Sequence, residues 1–132
     1  MKRVILSAVI IAVAIVYSIG SAAFAGASAA EIKLLADRIE AAYRTYAETE
    51  DSSAYFASIE LSERLEREAE KYENAVSLFV RDERLSTLEY SAARVKHLIK
   101  YGSDEVSAEL ESVREQVETI AESEIPYWYN IL

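Results

Sequence analysis

Residues 72–99 read Tyr72-Glu73-Asn74-Ala75-Val76-Ser77-Leu78-Phe79-Val80-Arg81-Asp82-Glu83-Arg84-Leu85-Ser86-Thr87-Leu88-Glu89-Tyr90-Ser91-Ala92-Ala93-Arg94-Val95-Lys96-His97-Leu98-Ile99. The phase of the apolar positions in this stretch decides how many helices the chain forms. No glycine or proline interrupts it. Tyr72, Val76 and Phe79 lie on one seam, and heptad steps from that seam reach positions 83, 86, 90 and 93. Those positions hold Glu83, Ser86, Tyr90 and Ala93. The strong seam of Leu85, Leu88, Ala92, Val95 and Ile99 runs two residues later. Two residues at about 100° each carry a stripe to nearly the opposite face of a helix. One straight helix would therefore leave half of its apolar surface in water. The phase predicts a turn near Val80-Arg81-Asp82, with Asp82 as the cap of the next helix.

Outward from that break, apolar residues recur at steps of three and four on both sides. The segment before it carries Leu61, Leu65, Ala69, Tyr72, Val76 and Phe79. It is preceded by Glu48-Thr49-Glu50-Asp51-Ser52-Ser53, a polar interruption in which Asp51, Ser52 or Ser53 can cap a helix. Earlier still, Ile32, Leu35, Ile39, Ala42 and Tyr46 form another stripe. The segment after the break ends at Tyr101-Gly102, where glycine can take the left-handed conformation. Ser103-Asp104-Glu105 then opens a last helix with a cap and two acids at the positive end of the helix dipole. Its stripe is Val106, Leu110, Val113, Val117 and Ile120, stopping before Pro126. Short connections make successive helices antiparallel. The expected fold is thus all-α, an N-terminal transmembrane or signal helix followed by an up-down-up-down four-helix bundle with coiled-coil-like seams. The tyrosines at 46 and 72 fall on seams and are expected in the core with their hydroxyls reaching the surface.

The chain has 132 residues, enough for one small domain. It divides into residues 1–30, a membrane anchor or signal peptide, and residues 31–132, the bundle with an aromatic tail. The first thirty residues carry only Lys2 and Arg3 as charges, followed by an uncharged run from Val4 to Ala30. Roughly 20 apolar residues cross a bilayer core, and this run is long enough. Ala23-Phe24-Ala25 and Ala27-Ser28-Ala29 each have the small-x-small form of a signal-peptidase site. Two readings stand open, a retained single-pass anchor and a cleaved signal with a secreted product. The length of the apolar run favours the anchor. In both, the basic residues mark the cytoplasmic side and the remainder of the chain is extracytoplasmic, at the cell membrane or envelope.

Charge is unevenly spread. The net charge is −9 overall and −11 beyond residue 30, which argues against nucleic acid as a partner because phosphates are repelled. Residues 81–101 are the one cationic helix, at +2, whereas residues 103–124 carry −7. Pairing across the interface between these two helices is the simplest expectation. Glu111, Glu115, Glu118 and Glu122 make an acidic stripe beside the apolar seam, a candidate docking surface for a basic partner. A straight stripe on a convex face does not converge as a cation site requires.

Reactive groups are sparse. The chain lacks cysteine and holds a single histidine, His97, placed off its seam. No serine sits in a Gly-x-Ser-x-Gly turn, and the inward positions are aliphatic where a carboxylate metal site needs Glu-x-x-His. We expect no enzymatic activity, no cofactor, no metal and no small-molecule substrate. The C-terminal Pro126-Tyr127-Trp128-Tyr129-Asn130-Ile131-Leu132 is costly to leave in water. Tyr127, Trp128 and Tyr129 either close the end of the bundle or touch the membrane interface, where Tyr and Trp are favoured.

Leu78-Phe79-Val80-Arg81-Asp82-Glu83, the segment that follows it, Ala108-Glu109-Leu110, and the ending Glu122-Ser123-Glu124 with Asn130-Ile131-Leu132 resemble an uncharacterised family. It comprises small single-span proteins of mainly Gram-positive, often spore-forming bacteria, known as a domain of unknown function. The chain departs from that family's pattern at Tyr72, usually tryptophan, and at Arg81, usually histidine. The resemblance implies a membrane-anchored helical protein and brings no activity or catalytic residue. The expected role is therefore a non-enzymatic, membrane-anchored extracytoplasmic bundle acting through protein contacts or as a structural module. The alternative is a ligand- or ion-sensing ectodomain. About three residues lie on the cytoplasmic side, so such a sensor would need a separate membrane partner to carry its signal.

Overall fold

A computed structural model describes residues 1–77, 80 and 82–123. It contains four helices: α1 (Lys2–Thr49), α2 (Ser52–Val76), α3 (Asp82–Lys100) and α4 (Val106–Ser123). α1 packs on α2 and α4, and α3 packs on the same two, closing an up-down-up-down bundle. The expected break between the second and third stretches is present, since α2 ends at Val76 and α3 starts at Asp82. Leu78, Phe79 and Arg81 lie outside the described residues. So do the side chain of Asp82 and the tail with Tyr127, Trp128 and Tyr129.

Local chemistry sets the other two turns. Glu50 ends α1 in the left-handed conformation, φ 56°, and its N–H donates to the Tyr46 carbonyl at 2.8 Å. Asp51 follows as the N-cap of α2, its Oδ1 accepting from the Ser53 N–H at 3.0 Å. At the far end of α3, Gly102 adopts φ 64°. Its N–H donates to the Ile99 carbonyl and the Ser103 N–H to that of Leu98. This pair of bonds is the Schellman arrangement, which satisfies carbonyls that the helix end would otherwise orphan. Ser103 Oγ then accepts from the Glu105 N–H at 3.1 Å, starting the turn that leads into α4.

The core matches the seams of α3 and α4 position for position: Leu85, Leu88, Ala92, Val95 and Ile99, and Val106, Leu110, Val113, Val117 and Ile120, are all buried. α2 differs in its first half. Leu61 is only partly buried, and the buried stripe instead runs Ser58, Ser62, Leu65, Ala69, Tyr72, Val76. The reason is phase. Strict alternation of three- and four-residue steps back from Leu65 lands on Ser62 and Ser58. Their hydroxyls donate to the carbonyls of Ile59 and Tyr55, three residues back, at 2.7 and 2.6 Å, so burial leaves no hydroxyl proton unsatisfied. On α1, Ile32, Leu35 and Ile39 are buried as expected, whereas Ala42 and Tyr46 are only partly so. Tyr72 is fully enclosed, hydroxyl included, rather than reaching the surface.

α1 is one unbroken helix of 48 residues, about 72 Å long at about 1.5 Å per residue. It runs through residue 30 without interruption, and bundle packing starts upstream of that point. Ala25, Ser28 and Ala29 are buried, with Ala22 against their edge. Toward the N-terminus, α1 projects out of the bundle with no described residue of the other helices burying it.

Candidate membrane segment and acidic face

The projecting part of α1 is apolar on every side. Val4, Ile10, Val13, Val16 and Ile19 are each more than half exposed, and the most apolar window reaches a mean hydropathy of 2.5 with none of it buried in the protein. From Val4 to Phe24 the helix rises about 30 Å, the thickness of a bilayer's hydrocarbon core. The two serines in that span below Gly20 are internally satisfied. Ser7 Oγ donates to the Arg3 carbonyl at 2.9 Å and Ser18 Oγ to that of Ala14 at 2.8 Å, the bonding a hydroxyl needs in lipid. By length and composition α1 is a helix able to cross a membrane; a signal sequence has the same properties.

Where α1 enters the bundle, an open cleft of about 480 Å³ lies between it and α2. Tyr17, Gly20, Ser21 and Phe24 form one wall, and Lys71, Asn74 and Ala75 the other. Lys71 Nζ sits 3.8 Å from Glu68 Oε2, and the other oxygen of Glu68 accepts from Ser28 Oγ at 2.9 Å.

The acidic stripe of α4 does not act as a unit. Glu111 is drawn to Arg114, with Nη1 to Oε2 at 2.9 Å, while Glu115, Glu118 and Glu122 are exposed. Arg114, the single base of α4, reaches across to α1. Its Nε donates to Asp37 Oδ1 at 3.0 Å and its Nη2 to Glu40 Oε2. Burial opposes the charge on Arg114, but the hydrogen bond and attraction of Glu40, helped by Glu111 and Asp37, outweigh it and hold the guanidinium above its ordinary pKa. This clasp between α1 and α4 was not among the sequence expectations. The signal available was that an α4 so rich in acid keeps one arginine.

The cationic α3 pairs with its acidic neighbour through Arg94, which lies 3.5 Å from Glu105 and 3.7 Å from Glu109. Lys96 turns instead to Glu63 of α2 at 3.6 Å. His97 is exposed on the outer face of α3. Among the described residues no group of three or more histidine, aspartate or glutamate side chains is placed to hold a metal ion. At the end of the bundle far from the projecting helix, Tyr43, Tyr46, Tyr55 and Phe56 form a chain of ring contacts with centroids 5.1–6.2 Å apart. Tyr43 also bridges the α1 and α4 sides by donating its hydroxyl to the Ser103 carbonyl at 2.9 Å. Burial, then Tyr46 and Asp104, push the Tyr43 phenol above its ordinary pKa.

An all-helical bundle led by a long apolar helix defines the structural class. Residues 27–131 match a domain of unknown function, DUF4363, and the chain belongs to that family. Comparison with curated proteins and with solved structures finds no match.

Proposed function

We propose that the protein is a single-pass, membrane-anchored helical bundle facing the outside of the cell, which works in the envelope as a non-enzymatic interaction or structural module. The observation that carries this reading is the continuity of α1. The same helix is bare and apolar toward its N-terminus and supplies core residues from Ala25 to Ile39 further along, so the apolar segment and the bundle share one continuous helix.

Burial of Ala25 and Ala29 supports retention of the anchor over cleavage. Cleavage after Ala25 would remove a core residue that is 1% exposed, and cleavage after Ala29 would also remove Ser28 and its bond to Glu68. The orientation rests on Lys2 and Arg3, which favour the cytoplasmic side. In this reading a partner meets the bundle laterally, and the exposed part of the α4 stripe, Glu115, Glu118 and Glu122, is the face for a basic partner. Glu111 is already committed to Arg114.

The test is the mass of the protein extracted from membranes, together with protease protection of whole cells. An intact chain whose bundle is digested from outside supports the reading. A product starting at Gly26 or Ala30, or a bundle protected until the cells are lysed, refutes it. For the partner face, charge reversal at Glu115 and Glu118 should abolish any specific crosslink formed in wild-type membranes; an unchanged crosslink pattern rejects that face.

A further inference from the structure

We propose that the cleft between α1 and α2 is a seat for one membrane glycerophospholipid, with an acyl chain along Tyr17, Gly20 and Phe24 and the phosphodiester on Lys71 and Asn74. The inference rests on the anchor reading above, because the occupant comes from the bilayer that α1 crosses.

Three observations converge on this occupant. First, the α1 wall of the cleft is continuous with the bare apolar surface that runs from Val4 to Ile19. A lipid lying against that surface therefore meets the cleft at the level where the helix leaves hydrocarbon. Second, the α2 wall supplies the groups a phosphodiester needs, an ammonium at Lys71 and an amide at Asn74, with the hydroxyl of Ser21 opposite. The neighbouring Glu68 is held on its other oxygen by Ser28, which keeps that carboxylate on the bundle side of Lys71. Third, Gly20 stands in the interior of a helix, where glycine costs about 0.5–1 kcal/mol relative to alanine. No described atom lies within 4 Å of a Cβ built there. Packing among the described residues therefore gives no reason for glycine at this position, whereas a ligand that approaches the backbone closely does.

Gly20→Leu fills the cleft with a side chain that meets no described neighbour at its Cβ, and Lys71→Gln removes the charge while keeping a hydrogen-bonding amide. The full chain is purified in mild detergent, stripped of lipid, incubated with phosphatidylglycerol and examined by native mass spectrometry; a parallel sample receives free glycerol phosphate. The expected result is one bound lipid per chain, weakened at least about tenfold in each variant, with no binding of glycerol phosphate at the same concentration. Equal lipid retention by wild type and Gly20→Leu overturns the proposal, as does the absence of a bound lipid on the wild type. Loss in Gly20→Leu alone overturns the placement of the phosphate. Glycerol phosphate binding as well as the lipid does overturns a membrane source. If instead the wild-type chain fractionates away from membranes in cells, it is the anchor reading that fails.

Discussion

Replacing Arg114 by alanine should be among the more damaging changes outside the apolar core, and the structure says how the loss divides. The side chain is 17% exposed and meets three carboxylates. Asp37 and Glu111 are 67% and 60% exposed. Once released they return to water, so each behaves as a surface pair worth about 0–1 kcal/mol. Glu40 is different. It is 26% exposed, and its other neighbour, Arg44, lies 3.9 Å away. Losing a hydrogen bond to a charged group costs about 1.5–3 kcal/mol, and the arginine stem also covers apolar surface. We expect a total of about 2–3 kcal/mol. In a domain of 60–100 residues each kcal/mol lowers Tm by about 4–8 °C, so the midpoint should fall by roughly 8–24 °C. The assay is thermal unfolding of the full chain in mild detergent, followed by circular dichroism, with a double-mutant cycle to apportion the effect. Coupling between Arg114→Ala and Glu40→Gln should be about 1–2 kcal/mol. Coupling with Asp37→Asn should be under about 0.5 kcal/mol and vanish at 1 M salt, where the screening length is about 3 Å. Additive behaviour of the Glu40 pair, or a Tm within a few degrees of wild type, would refute the clasp as a tie between α1 and α4.

Glu50→Gly should raise stability by about 0.5–1 kcal/mol, because Glu50 holds a left-handed φ of 56° that glycine adopts without strain; an unchanged or lower Tm refutes this. Ser62→Ala should change stability by under about 0.5 kcal/mol, since the lost hydroxyl bonds only to a carbonyl of its own helix. Ser62→Leu should cost about 1–3 kcal/mol by overpacking the buried face of α2, and a stabilised Leu variant would show that the seam is misassigned. Tyr43→Phe should cost about 0.5–1.5 kcal/mol near pH 7 through loss of the bond to Ser103. Folding favours the neutral phenol. The associated stability is therefore complete below the ordinary tyrosine pKa of 10.0 and is lost as pH rises through the higher folded value. The gap between Tyr43→Phe and wild type should thus narrow in alkaline denaturation above pH 10, and a constant gap rejects the assignment.

The chain order alone determined the features whose causes are local. The number of helices follows from the phase slip around Arg81. Two of the connections follow from Asp51 and from Gly102-Ser103, whose backbone and side-chain bonds close within a few residues. The seams of α3 and α4 follow from strict three-and-four spacing, which any amphipathic helix obeys. Tertiary structure decided what depends on two helices meeting. Ser58 and Ser62, polar by composition, are buried because α2 turns that face to its neighbours. The core reaches back past residue 30 to Ala25 because α2 is long enough to cover it there. Arg114 finds Asp37 and Glu40 more than seventy positions away, and Gly20 and Lys71 share a cleft across fifty. Periodicity along one strand of sequence reports which face of a helix avoids water. It carries no record of which side chain on another helix stands opposite, and the clasp and the cleft both depend on that pairing.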